Sequence, residues 1–150
     1  MGQVFRNLAG TTKRTFSLGS PLAPEATLGH YAYASLATPA STTSTSYVTY
    51  LTLDVPSIPT GIIYLIEFSF LWNIAATNRE FSAQLTLDGT QLWYNSSRCA
   101  VSAERRDSSG ARTYNFATET THTILLRYRT SNAGVAATIY QAAISIRGVK

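Results

Sequence analysis

Across its 150 residues the chain holds few groups that do acid–base, metal or nucleophilic chemistry: eight carboxylates, two histidines and one cysteine. His30 opens the stretch "HYAYASLA", and His122 lies far along the chain in "TETTHTILL". Two isolated histidines do not make a zinc site, which takes three or four ligands at characteristic spacing. Cys99 has no base beside it in sequence to make it a nucleophile, and a single cysteine rules out an intrachain disulfide scaffold. It reads as a small, half-buried strand residue. Glu104-Arg105-Arg106-Asp107 is the densest charged cluster. Its arginine forks suit an anionic group, and its own two acids suit them equally, as at a solvated strand end. Asp54 and Glu67 are isolated, and a carboxylate pair for glycoside hydrolysis is defined by separation in space. There is no glycine-rich phosphate loop, GxSxG elbow or calcium loop. The sequence therefore predicts no enzyme, no metal and no cofactor. Asn95-Ser96-Ser97 matches a glycosylation acceptor, a match expected by chance in so serine-rich a chain.

Aromatic side chains are the more distinctive resource. Trp72, Trp93, Tyr94, Tyr114 and Tyr128 have the flat faces that stack on sugar rings. At strand spacing most aromatics belong to a core, and the remainder suit contacts between subunits, where tyrosine and tryptophan are enriched.

Such residues need a scaffold, and the composition specifies its class. Hydrophobic residues make up 45% of the chain, enough for one domain with a sizeable core, whereas charged residues reach only 13%, about half the usual share. Serine, threonine and tyrosine take over the surface, as in β-proteins built for contact with other subunits. Aromatics at 11% and a formal net charge of only +4 argue against disorder. The start Met1-Gly2-Gln3 lacks the charged opening and apolar run of a secretory leader, and no serine or threonine stands where a myristoylation signal needs one. The longest apolar run, "GIIYLIEFSFLW", contains Glu67 and has the length of a strand, so no membrane span is expected.

Apolar residues recur at period two throughout, with turn residues between them, and no helix of ordinary length is predicted. "VFRNL" and "KRTFSL" read as two short strands around an Ala-Gly-Thr-Thr turn. "SPLAPEATLG" is a linker, because Pro21 and Pro24 cannot donate to a ladder. "HYAYASLA" places Tyr31 and Tyr33 on one face. "YVTYLTLDV" alternates Val48 and Tyr50 against Tyr47, Thr49, Leu51 and Leu53. "GIIYLIEFSFLWNI", apolar at nearly every position, predicts a strand covered on both faces. "EFSAQLTLDGTQLWY" is a hairpin about Asp88-Gly89. "RCAVSAERRD" and "ARTYNFAT" read as strands around a Ser108-Ser109-Gly110 turn. "HTILLRYRT" sets Ile124, Leu126 and Tyr128 against Leu125, Arg127 and Arg129, and "VAATIYQAAISIRGV" follows Asn132-Ala133-Gly134 as the last strand. Eight to ten such strands fit an all-β antiparallel sandwich, jelly-roll-like. The predicted layout is an N-terminal hairpin arm over 1–20, a linker over 21–29 and the sandwich over 30–150.

Three stretches together, "STTSTSYVTYLTLDVPSIPTGIIYLIEFSFLWN", "REFSAQLTLDGTQLWY" and "HTILLRYRTSNAGVAATIYQAAISI", resemble small jelly-roll accessory virion proteins of tailed bacteriophages. "GIIYLIEFSF" is also similar to the Gly-x-Tyr-x-Phe strand of tumour-necrosis-factor and complement-C1q jelly rolls, with Ile66 where an aromatic is common. The phage resemblance implies a structural virion protein, a capsid decoration or cement protein or a head fibre, often trimeric. It would be assembled in the host cytoplasm and carried on the virion surface, with the major capsid protein as partner. Within that reading the arm docks: Arg6, Lys13 and Arg14 meet an acidic capsid surface while Val4, Phe5, Phe16 and Leu18 are buried on it. The alternative is a tail-fibre or head-fibre host-recognition module that binds a glycan. Nucleic acid is not an expected partner despite a pI of about 9.4, since the cations outside the arm are scattered and partly offset.

Overall fold

The computed structural model describes residues 5–6, 12–13 and 30–149. At the N-terminus, β1 (Phe5–Arg6) pairs antiparallel with β2 (Thr12–Lys13), Phe5 opposite Lys13 and Arg6 opposite Thr12. Of the predicted docking residues, Val4, Arg14, Phe16 and Leu18 lie outside the described residues, as does the predicted linker over 21–29.

Nine further strands follow: β3 (His30–Leu36), β4 (Ala40–Thr42), β5 (Val48–Val55), β6 (Ile63–Ile74), β7 (Glu80–Leu87), β8 (Thr90–Arg98), β9 (Arg106–Asn115), β10 (His122–Thr130) and β11 (Ala137–Gly148). No helix occurs among the described residues. One sheet runs β5-β10-β7-β8 and the other β3-β11-β6-β9, with β4 also on β11, and every pairing is antiparallel. From β5 onward only the β7–β8 connection stays within one sheet; each other connection crosses to the opposite one. This is an all-β antiparallel sandwich of jelly-roll type.

Alternation builds the core. Tyr64, Ile66, Phe68, Phe70 and Trp72 of β6 face Phe81, Leu85, Leu126 and Tyr128 of the other sheet, and all are buried. Trp72 stacks on Phe81 with ring centroids 4.1 Å apart, and Trp93 closes on Phe68 and Phe70 at 4.7 and 6.0 Å. Burial pushes the Tyr64 and Tyr128 phenols up to about 12, and both hydroxyls donate to backbone carbonyls, of Pro59 and Ala40. The Asp88–Gly89 turn takes the positive φ values, 48° and 82°, that a two-residue hairpin requires.

The structure departs from simple alternation at four β-bulges, whose extra residues are Tyr31, Tyr50, Leu92 and Tyr140. An extra residue resets which face the following side chains take. Tyr31 and Tyr33 therefore do not share a face: Tyr31 packs edge-on against Tyr64 at 5.2 Å, whereas Tyr33 is 63% exposed. Likewise Tyr50 and Leu51, neighbours in sequence, are both buried, and the Tyr50 hydroxyl donates to the Thr38 carbonyl at 2.8 Å.

Two further expectations are corrected. Ser108-Ser109-Gly110 is not a turn but the middle of β9, with Gly110 directly opposite Phe68. Residues 99–105 are a loop rather than a strand. The loop is folded back on the end of β6: the Ala103 N–H donates to the Ile74 carbonyl at 2.9 Å, Asn73 Nδ2 donates to the Ala103 carbonyl at 3.2 Å, and Ala103 takes a positive φ of 58°. Cys99, at the start of this loop, is fully buried. Among the described residues β6 is fully covered on one face only: its outer row of Ile63, Leu65, Glu67, Ser69 and Leu71 is half-buried or exposed.

Candidate functional site

The polar groups with catalytic character are occupied in holding turns. His122 Nδ1 pairs with Asp88 Oδ2 at 2.6 Å, its ring lies 4.4 Å from that of Phe116, and its Nε2 is 3.4 Å from the Thr118 carbonyl. Asp88 Oδ1 also accepts the Thr123 N–H at 2.9 Å. The carboxylate ties the β7–β8 turn to the start of β10. His30 stands apart, opposite Arg147 at the edge of the other sheet. Within the charged cluster, Arg106 pairs with Glu104 at 2.8 Å and the Arg105 guanidinium lies 4.2 Å over the Tyr140 ring, so the cluster is largely self-satisfied. No group of three metal-ligating side chains occurs among the described residues.

Asp88 gives a pH-dependent prediction. Burial raises its carboxyl, but the Thr123 N–H and then His122 outweigh that and leave it below its ordinary value. The unfolded chain therefore takes up this proton first as pH falls through about 4. The stabilisation is present above that pH and is lost as pH falls through the folded-state value. Asp88→Asn keeps an acceptor for Thr123 and tolerates the positive φ. Urea unfolding between pH 3 and 7 should show a shallower acid decline for D88N than for the wild type. Identical slopes would mean that Asp88 stays charged for no structural reason.

The aromatic candidates divide by face. Trp72 and Tyr128 are core, Trp93 points inward, and Tyr94 and Tyr114 are 45% and 37% exposed. Among the described residues, the outer face of the β3-β11-β6-β9 sheet forms an open surface. Its floor is made of small residues, Ser69 of β6, Ser109 and Ala111 of β9, and Ala143 and Ser145 of β11. Tyr33 rises from β3 beside them. Two adjoining depressions of about 240 and 450 Å³ share Tyr33, Ser69 and Ala143. The charges on this face are few: Glu67 pairs with Arg147 at 3.2 Å, and Asp107 has no ion-pair partner among the described residues. Ile63 and Leu71 extend the apolar row toward opposite ends of β6. A flat, weakly charged face with one raised aromatic suits burial against another protein surface.

For Phe5, Arg6 and Lys13, the backbone ladder of the β1–β2 hairpin is described. Sequence reading could not locate the open sheet face, because its floor residues are scattered over three strands whose pairing is non-local.

No protein-family model matches the chain, and no curated protein matches it. Among solved structures, it is similar to the insecticidal delta-endotoxin Cry8Ea1 from Bacillus thuringiensis, with 14% identity and a TM-score of 0.41 over 79% of this chain and 20% of that one. It is also similar to dimeric latent PorU from Porphyromonas gingivalis, with 13% identity and a TM-score of 0.49 over 87% of this chain and 14% of that one. The chain thus spans a fifth or less of the length of either protein, and neither likeness bears on what it does.

Proposed function

We propose that this chain is a structural virion protein, most specifically a capsid decoration protein that binds the major capsid protein at the virion surface and stabilises the shell as a homotrimer. The reading assigns it no reaction. It rests on the sequence resemblance and on one structural observation: the outer face of the β3-β11-β6-β9 sheet, which among the described residues is open, with Ile63, Leu65, Leu71 and Tyr33 over a floor of serine and alanine. A strand that is apolar on both faces gains from a cover on its second face. The β1–β2 pairing supports the reading too, since among the described residues it is a two-stranded ribbon, an element suited to extending a neighbour's sheet.

Occupancy on the particle tests this. Quantitative mass spectrometry of virions should find lattice-scale copy numbers, and a chain lacking residues 1–20 should fail to decorate particles. A handful of copies per particle would place the protein in a fibre or tail instead, and normal occupancy of the truncated chain would remove the arm from docking. Sedimentation equilibrium should give a trimer that Tyr33→Asp shifts toward monomer; a stable wild-type monomer at high concentration would sink the assembly.

A further inference from the structure

The opposite sheet carries a cationic and aromatic array that the docking reading does not use. Arg127 and Arg129 point outward from β10, because Ile124, Leu126 and Tyr128 take the inward positions. Two residues apart on one strand face, their side chains leave the backbone about 7 Å from each other. Register sets Gln84 of β7 beside Arg127 and Ser82 beside Arg129, with Tyr94 and Ser96 of β8 next in the same rows. Arg127 Nη2 donates to the Tyr47 carbonyl at 3.0 Å. Arg129 Nη1 donates to the Thr45 carbonyl at 3.3 Å, and its guanidinium lies 4.7 Å over the Tyr47 ring.

These contacts position the two cations without neutralising them. Among the described residues neither has a carboxylate within ion-pair distance, although the four ion pairs of the domain engage Arg98, Arg106, His122 and Arg147. The face is also under-satisfied in hydrogen bonds. Arg127 Nε, Arg129 Nε and Thr86 Oγ1 are buried with no partner among the described residues, and Thr86, in the next row of β7, is only 3% exposed. Tyr94, at 45% exposure, stands at the rim on the edge strand β8.

We infer that the outer face of the β5-β10-β7-β8 sheet binds an acidic saccharide. A sugar carboxylate takes the outward N–H groups of Arg127 and Arg129 and a ring face lies on Tyr94, over the buried Gln84 and Ser82 of β7. Arginine suits this task because its planar fork meets a carboxylate with two parallel hydrogen bonds. The charge layout disfavours nucleic acid. The two cations are bracketed by Asp54 toward one end of the face and Glu80 toward the other, and a duplex bearing a charge every 1.7 Å or so would meet both. A polysaccharide with isolated carboxylates needs only the centre. The site lies on the sheet opposite the proposed assembly face, so either can fail while the other stands.

The test is affinity electrophoresis of the full chain through gels containing polygalacturonate, dextran, poly-glutamate or duplex DNA. The wild type should be retarded by polygalacturonate and run freely in dextran. R127Q/R129Q should weaken the retardation at least about tenfold, as expected for losing charge-assisted hydrogen bonds. Tyr94→Ser should weaken it several-fold. Tyr94 is exposed on an edge strand, so Y94S decides the matter if the double variant melts early. No retardation by polygalacturonate overturns the inference, as does equal retardation by dextran. Stronger retardation by poly-glutamate would assign the face to an acidic protein surface, and by DNA to a nucleic acid; either overturns it. Wild-type binding by a folded R127Q/R129Q would move the charge contact to the arm cations, Arg6, Lys13 and Arg14, and overturn it as well.

Discussion

Trp72→Ala is expected to lose about 3–5 kcal/mol, the cost of emptying a fully packed tryptophan site. For a domain of this size that is a large part of the total stability, and the variant should populate the unfolded state at ambient temperature. Trp72 is 2% exposed and stacked on Phe81 at 4.1 Å with the ring planes 16° apart, so it joins the two sheets at one end of the aromatic layer. Its indole N–H donates to Ser108 Oγ at 2.9 Å, which links the core to the edge strand β9. Removing the ring both opens a cavity and frees a polar group. The two parts separate experimentally. Ser108→Ala should cost only about 1 kcal/mol, the net value of one hydrogen bond. Trp72→Phe keeps most of the stacking and should fall between. Urea titration of the three variants gives the order, and a W72A loss no larger than that of S108A would show that the stacked ring contributes little.

What the sequence made legible follows from period two. Wherever a strand runs without a bulge, the alternation reads correctly: Ile124, Leu126 and Tyr128 go inward and Leu125, Arg127 and Arg129 outward. Asp88-Gly89 is legible for the same local reason, because only a few residue types accept two positive φ values in succession. The failures are local breaks in the same rule. A bulge adds one residue with no signature of its own, so spacing wrongly set Tyr31 on one face with Tyr33, and Tyr50 on the face opposite Leu51. Partner choice is not local at all. Nearly every connection crosses between the sheets, so the rows Arg127–Gln84–Tyr94 and Ala143–Ser69–Ser109 exist only after pairing. Both candidate surfaces are made of such rows. The sequence neighbours of His122, by contrast, gave no hint that it would meet Asp88 across 34 residues.

Gly110 shows how a residue that reads as a turn can be required by a strand. Its φ lies outside the left-handed region, so conformational freedom is not the reason for glycine here. Space is: a Cβ would sit 2.6 Å from Phe68 Cζ and 3.0 Å from Cε1. Phe68 lies across the backbone of β9 and is pinned on its other side by Trp93 at 4.7 Å, so the ring has little room to retreat. Glycine inside a strand marks such a close approach, and an aromatic from the neighbouring strand covers it. Gly110→Ala should therefore cost about 1–3 kcal/mol through overpacking, although alanine at an unconstrained strand position is ordinarily favoured over glycine. Phe68→Ala alone should cost about 3–5 kcal/mol. The decisive variant is the double one. Once the ring is gone the added methyl has space, and Gly110→Ala in the F68A background should turn neutral or stabilising by up to about 1 kcal/mol. The coupling between the two sites should then reach roughly 1–3 kcal/mol, well beyond the additivity of independent positions. If the two losses simply add, the glycine is not there to admit Phe68, and β9 is held against β6 by its backbone ladder alone.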